Sequence, residues 1–216
     1  QASADVAQLV VSVYAMAYAV TLILGGRLGD IHGRRRAFVG GMLGFGLASA
    51  ICGLAGSAGT LVAGRLLQGI SAAVMAPQSL ASIHALFPPA EKGRALGLYG
   101  ATFGIAAVGG QLLGGWLVSV NVLDLGWRSV FLINLPVIAL ALPAALLLVR
   151  ETRAAQARAM DYRGAALLAA GALALVVPLI EGRERGWPWW SLALLAASPV
   201  LFTAFWRYQR HLENSG

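Results

Sequence analysis

Seven apolar blocks divide this sequence, at about 6–24, 37–56, 61–83, 95–118, 129–149, 164–180 and 190–206. Most approach the ~20 residues that cross ~30 Å of hydrocarbon as a helix. The sixth and seventh are shorter. Backbone groups in lipid must bond within their own segment, which demands helices. Nothing alternates with period two over ten-residue units, so a β-barrel does not fit. Only 12% of residues are charged, about half the share of a soluble domain. That is too little polar surface to clothe a soluble core of this size. The expected fold class is an all-α integral membrane protein with seven spanning helices.

The net charge of +7 would suggest nucleic acid as partner in a soluble protein. Here the basic residues sit in short loops between apolar blocks, so the lipid bilayer is the partner and nucleic acid is not. The loops after blocks one, three, five and seven carry twelve of the sixteen Lys and Arg, including Arg34, Arg35, Arg36, Lys92, Arg153 and Arg158. The opposite loops carry three, Arg128, Arg183 and Arg185. This bias places the N-terminus outside and the C-terminus in the cytoplasm. Cys52 stands alone, which rules out an internal disulfide and a multi-cysteine metal site. No metal or other cofactor is expected. The stretch 181–190, EGRERGWPWW, reads as a turn anchored by tryptophan at headgroup level. The chain opens on Gln1 without a basic leader, which reads as a fragment.

Between the first two blocks lies GGRLGDIHGRRR, residues 25–36. Arginines there pin a loop to one membrane face. Topology alone explains Asp30 and the glycine spacing poorly. Gly26, Gly29 and Gly33 permit close approach or a left-handed turn. Asp30 is expected in the loop, with the next helix starting near Arg36. A carboxylate at that place can pair with a neighbouring arginine or with amides at a helix N-terminus. The pattern Gly26-x-Leu28-x-Asp30-x-x-Gly33-Arg34-Arg35 resembles the cytoplasmic loop between helices two and three of the major facilitator superfamily. The resemblance implies a charge network that latches the two transporter halves and is remade during switching, with Gly26, Asp30, Gly33, Arg34 and Arg35 as the switch residues.

The third block contains an arginine, Arg65, five residues from its start. A charge within the bilayer is costly and usually marks a site, although a side chain near the boundary can snorkel. Gln68 and Gly69 follow on the same helical face. Gln78 lies thirteen residues on, roughly 220° around an ideal helix, with Pro77 just before it. Arg65 and Gln68 are expected to line a common cavity, with Gln78 a weaker candidate that could simply bond a neighbouring helix. Arg65-x-x-Gln68-Gly69 followed by Pro77 resembles the family's fourth helix, where the arginine is tied to proton coupling. No acidic residue lies deep in any block, so a proton carrier has to come from elsewhere. In the family it often sits in helix one.

The fourth block spaces Gly100 with Gly104, and Gly110 with Gly114, four apart, a pattern that lets helices approach closely. Gly110-Gln111-x-x-Gly114-Gly115 resembles the antiporter signature of helix five, with Gln111 where proline is usual and Ala106 where glycine is usual. Losing the proline removes a kink and places an amide within the membrane, where Gln111 is a candidate cavity-lining group. GWRSVFLINLP, residues 126–136, and Asp161-Tyr162-x-Gly164 resemble the fourteen-helix drug/proton antiporter branch.

The likeness covers essentially the whole chain and matches helices two to eight. It implies an incomplete N-terminal bundle at 1–150 with its first helix missing, a cytoplasmic connector at 151–163, and two additional central helices and a tail at 164–216. The implied activity is proton-coupled efflux of small amphipathic or cationic molecules, with no enzyme chemistry. The partners would be a small-molecule substrate, protons, and the first helix and C-terminal half of the same transporter. Two rocking bundles are needed for alternating access, so the fragment alone is expected to be inactive. Two other classes fit the helix count. A retinal-type pump needs a buried lysine, yet the only lysine, Lys92, lies in a loop; a receptor remains open. A membrane-embedded enzyme needs clustered polar groups, yet His32, His84 and His211 are scattered without metal-ligand spacing.

Overall fold

The computed structural model describes residues 4–154, 161–182 and 185–215. Among these residues eight α-helices follow in order: α1 (Ala4–His32), α2 (Arg34–Gly53), α3 (Ala58–Leu86), α4 (Pro89–Val120), α5 (Ser129–Leu132), α6 (Asn134–Leu148), α7 (Tyr162–Glu181) and α8 (Trp189–Ser215). No strand occurs among the described residues. Short α5 and α6 continue one another to form a single span over Gly126–Leu148, so seven helical stretches are long and apolar enough to cross a membrane.

The helices outrun the apolar blocks. Hydropathy marks the depth of hydrocarbon, whereas a helix continues into the headgroup layer until its backbone is capped or broken. Thus α1 runs on to His32 and α2 starts at Arg34. Asp30 therefore lies in the last turn of a helix, correcting its expected place in a loop, and Arg34 to Arg36 form the first turn of the next. The α3 start is capped by Ser57, whose hydroxyl accepts the Thr60 amide at 3.2 Å. Pro89 occupies the first turn of α4, where its missing N–H costs nothing. Asp161 caps α7 by accepting the Gly164 amide at 2.9 Å. That hydrogen bond, with those from Tyr208 and Gln209, holds its carboxyl below the usual carboxylate range.

Helix α3 is the hub, packed between α1 and α2; α2 also meets α5 and α6, and the α7–α8 hairpin docks through α7 on α1. The core consists of small residues, among them Ala17, Ala48, Ser49, Cys52, Ala72 and Ala73, all under a tenth exposed. Lipid tails are as apolar as leucine, so helices in a bilayer gain little from burying large side chains and associate by close van der Waals contact instead. Helix α4 makes few contacts, with α3 and α5 only at its ends, and leaves Phe103, Ile105, Leu112 and Trp116 exposed.

Candidate functional site

Two polar clusters stand out, one at the arginine-bearing end of the bundle and one within it. The first forms where α1 passes into α2 through the single residue Gly33. Gly33 has φ 108°, a region that L side chains rarely adopt. A Cβ there would also lie 2.5 Å from Oε1 of Glu151. The dihedral is what selects glycine, since the carboxylate is the far end of a flexible side chain that can move aside. Asp30 and Arg34, one helical turn apart, pair at 3.2 Å. Arg34 also donates to the Ala81 carbonyl of α3 at 3.2 Å. Glu151, just after α6, accepts the Arg35 amide at 3.0 Å through Oε1. Its Oε2 lies 3.9 Å from Nε of Arg35 and 3.8 Å from Nε of Arg36. The connector lies across the junction by backbone bonds as well, Arg34 donating to Thr152 at 2.9 Å and Ala154 to Asp30 at 3.4 Å.

The two roles expected of Asp30 are thus divided between two carboxylates. Asp30 takes the arginine, and Glu151 takes the helix N-terminus, where an acceptor satisfies an orphan amide and opposes the helix dipole. Glu151 was not singled out from the sequence. The available signal was that it is one of only two acids, with Asp161, in the arginine-rich connector 151–163. Arg158 and the rest of 155–160 lie outside the described residues, as does Arg183.

Glycine packing at this end differs from expectation in detail. The close approach belongs to Gly25 and Gly29. A Cβ on Gly25 would strike the Ala73 carbonyl, and one on Gly29 would strike the Gln78 amide. Gly26 has ordinary room, its nearest neighbour being Pro77 at 3.8 Å. The Gln78 amide seats between the helices and donates to Gly25 at 2.7 Å and to Val74 at 2.9 Å. It is 1% exposed and ties α3 to α1, the bonding role named for it as the alternative to cavity lining.

The second cluster centres on Arg65. Its Nε donates to the Val10 carbonyl at 2.9 Å and one Nη to Oε1 of Gln68 at 3.0 Å. Gln68 passes the interaction on, donating to Ser49 at 2.7 Å, and Asn134 donates to the same hydroxyl at 3.3 Å. The Cys52 thiol points at Gln68 Oε1 from 3.7 Å. The guanidinium carbon sits 4.2 Å from the Tyr14 ring centre and 5.9 Å from that of Phe131. Gln68 and Ser49 are completely enclosed, at 1% and 0% exposed. Four elements besides α3 contribute: Val10 and Tyr14 from α1, Ser49 and Cys52 from α2, Phe131 from α5 and Asn134 from α6. Arg65 forms no ion pair among the described residues. Carbonyl, amide and aromatic faces hold its charge, and a part-buried cation–π contact of this kind contributes about 1 kcal/mol.

Gly69, one residue beyond Gln68, lies against the Tyr14 carbonyl of α1, 2.5 Å from where a Cβ would be. By contrast Gly100, Gly104, Gly110, Gly114 and Gly115 face open space, and Gln111 is exposed. Nothing among the described residues packs on that stripe of α4. On the opposite end of the bundle Arg128 donates to the Ala55 carbonyl at 2.9 Å and lies over Trp127, which meets Phe131 edge-on. No group of three His, Cys, Asp or Glu among the described residues is placed to hold a metal ion.

The sequence profile of the Major Facilitator Superfamily matches residues 1–213. A probable actinorhodin transporter of Streptomyces coelicolor is 42% identical over 214 residues, covering 99% of this chain and 37% of that protein. The puromycin resistance protein pur8 of Streptomyces alboniger is 41% identical, covering 96% of this chain and 41% of its own. The multidrug resistance protein Stp of Mycobacterium tuberculosis is 41% identical, covering 85% and 34%. The chain spans well under half the length of these relatives.

Proposed function

The chain belongs to the major facilitator superfamily, and from that premise we propose that it forms part of a proton-coupled exporter of small amphipathic or cationic molecules. The reading places it in the fourteen-helix drug/proton antiporter branch, in a bacterial plasma membrane, with the N-terminus outside and the C-terminus in the cytoplasm. Relatives named for actinorhodin, puromycin and multidrug resistance support small organic substrates. Its partners are the substrate, protons, the bilayer, and a first helix and C-terminal half supplied by the longer transporter. Without them the two-bundle rocking motion is impossible.

The observation that carries the proposal is the part-buried guanidinium of Arg65, which has no carboxylate partner among the described residues. A fixed positive charge favours the ionised form of any acid brought beside it and disfavours a second cation there. Proton uptake by that acid and substrate binding then become alternatives, which is the thermodynamic content of exchange. Gln68 and Ser49 hold the guanidinium in one orientation. At the cytoplasmic face the junction of Asp30, Arg34, Arg35, Arg36 and Glu151 acts as the latch. Glu151 Oε2 lies within ionic but beyond hydrogen-bonding distance of two guanidinium groups. A shift of about 1 Å therefore makes or breaks a charge-assisted bond there.

Everted vesicles carrying the full-length transporter test this. Uptake of ethidium is expected to require a pH gradient and to stop on adding a protonophore. Glu151→Gln, which keeps the amide acceptor but removes the charge, is expected to slow uptake several-fold with KM little changed. Uptake indifferent to the gradient contradicts the coupling. A Glu151→Gln defect confined to KM contradicts the latch.

A further inference from the structure

A groove of about 370 Å³ runs between α1, α2 and α3, from the arginine-bearing face toward the middle of the bundle. It shares Arg36 with the latch and is otherwise separate from both clusters described above. Leu28, Ile70 and Val74 give it apolar walls, and exposed Gly40 leaves one side without a side chain. Arg36 and His32 stand at its mouth. Arg36 is 68% exposed, and among the described residues its ion pair is the long one to Glu151 through Nε, with no partner there for either Nη. The His32 Nδ1 faces the Leu28 carbonyl at 3.3 Å, which leaves Nε2 for a ligand. The arrangement is two basic side chains at the headgroup level of a membrane face, above an oily slot.

We propose that this groove holds one anionic phospholipid, its phosphate at Arg36 and His32 and an acyl chain along Gly40. Charge selects the headgroup: basic pockets between spanning helices favour anionic lipid. Shape selects the tail. The groove lies open along one side, at exposed Gly40 and Ile70, and an unbranched methylene chain follows it from Arg36 past Gly40 to Ile70 and Val74. The walls offer it the apolar contact that lipid would otherwise supply, and Gly40 lets it approach the helix backbone.

The full-length transporter, purified in detergent with equal amounts of phosphatidylglycerol and phosphatidylcholine, tests this by native mass spectrometry. The wild type is expected to retain phosphatidylglycerol in preference to phosphatidylcholine. Arg36→Gln is expected to lower that retention roughly fivefold, and adding His32→Gln, which removes the second polar contact, is expected to lower it further. Gly40→Leu is expected to lower it too. A Cβ at Gly40 meets nothing within 4 Å, so leucine can fill the groove without parting the helices. Arg35→Gln loosens the same Glu151 contact without touching the groove and is expected to retain lipid as the wild type does. Equal retention of the two lipids by the wild type overturns the proposal. So does undiminished retention in Gly40→Leu, which would reduce the effect to surface charge. A loss in Arg35→Gln equal to that in Arg36→Gln overturns it as well, since the latch would then be the cause.

Discussion

Replacing Arg65 with alanine is expected to abolish proton-linked export while leaving the protein inserted in the membrane. Insertion is not at risk, because removing a charge from a spanning helix makes partition into lipid easier. Folding is affected modestly. The Val10 carbonyl and one lone pair of Gln68 lose their donor, and an orphaned buried acceptor costs about 1–3 kcal/mol. Gln68 still donates to Ser49 and still faces the Cys52 thiol, so the α2–α3 contact persists. Coupling is another matter. If the fixed charge is what makes proton and substrate compete, its removal uncouples them by at least ~10-fold, within the range of coupling energies between sites. Arg65→Gln separates charge from packing, since an amide can still reach Gln68. It is expected to match the wild type in thermal stability more closely than alanine does, yet to fail in gradient-driven uptake equally. Unchanged export by either variant at equal expression removes Arg65 from the mechanism.

Gly25→Ala is expected to destabilise the bundle strongly, whereas Gly26→Ala, one residue away, is expected to leave stability almost unchanged. The first Cβ would press into the Ala73 carbonyl, with Ala73 C and Val74 Cα each at 2.8 Å. These are backbone atoms of a helix, so no rotamer change relieves the clash, and α1 and α3 must separate. Overpacking of this kind costs typically 1–3 kcal/mol. Separation also pulls the Gln78 amide from its 2.7 Å bond to Gly25. A Cβ on Gly26 gains only an ordinary contact with Pro77, and alanine is the better helix former by about 1 kcal/mol. Thermal inactivation in detergent distinguishes the two. A Gly26 variant as unstable as the Gly25 variant would show that α1 meets α3 on a different face.

Why the sequence reveals one of these glycines and hides the other follows from the kind of signal each carries. Spans announce themselves because hydropathy sums over some twenty residues, and each of the seven blocks coincides with a helical span, the second overrunning α2 by three residues and the fifth overrunning α6 by one. Helix ends do not, because Asp30 and Arg34 are equally at home in a loop or in a headgroup-level helix. The Asp30–Arg34 pair is local, four residues apart, and readable. Glu151 reaches the same junction from 116 residues along the chain, and no periodicity encodes that distance. The face shared by Arg65 and Gln68 follows from helical spacing, yet Ser49, Tyr14 and Asn134 come from three other helices and are set by packing. Gly25 is likewise fixed by where Ala73 lands. The glycines of α4, with the clearest spacing of all, have no neighbour among the described residues, because spacing states that a helix can be approached closely and not by what.

Every role given to the latch depends on which side of the membrane it occupies, and cysteine labelling measures that directly. Native Cys52 is 0% exposed, so it leaves a silent background. Gly56 lies in the exposed turn between α2 and α3, and Arg153 in the connector beside the latch, with the whole of α2 between the two faces. A membrane-impermeant maleimide added to intact cells is expected to label Gly56→Cys and to spare Arg153→Cys, which reacts only once the membrane is opened. Labelling of Arg153→Cys from outside, or of both variants from the same side, would contradict the account.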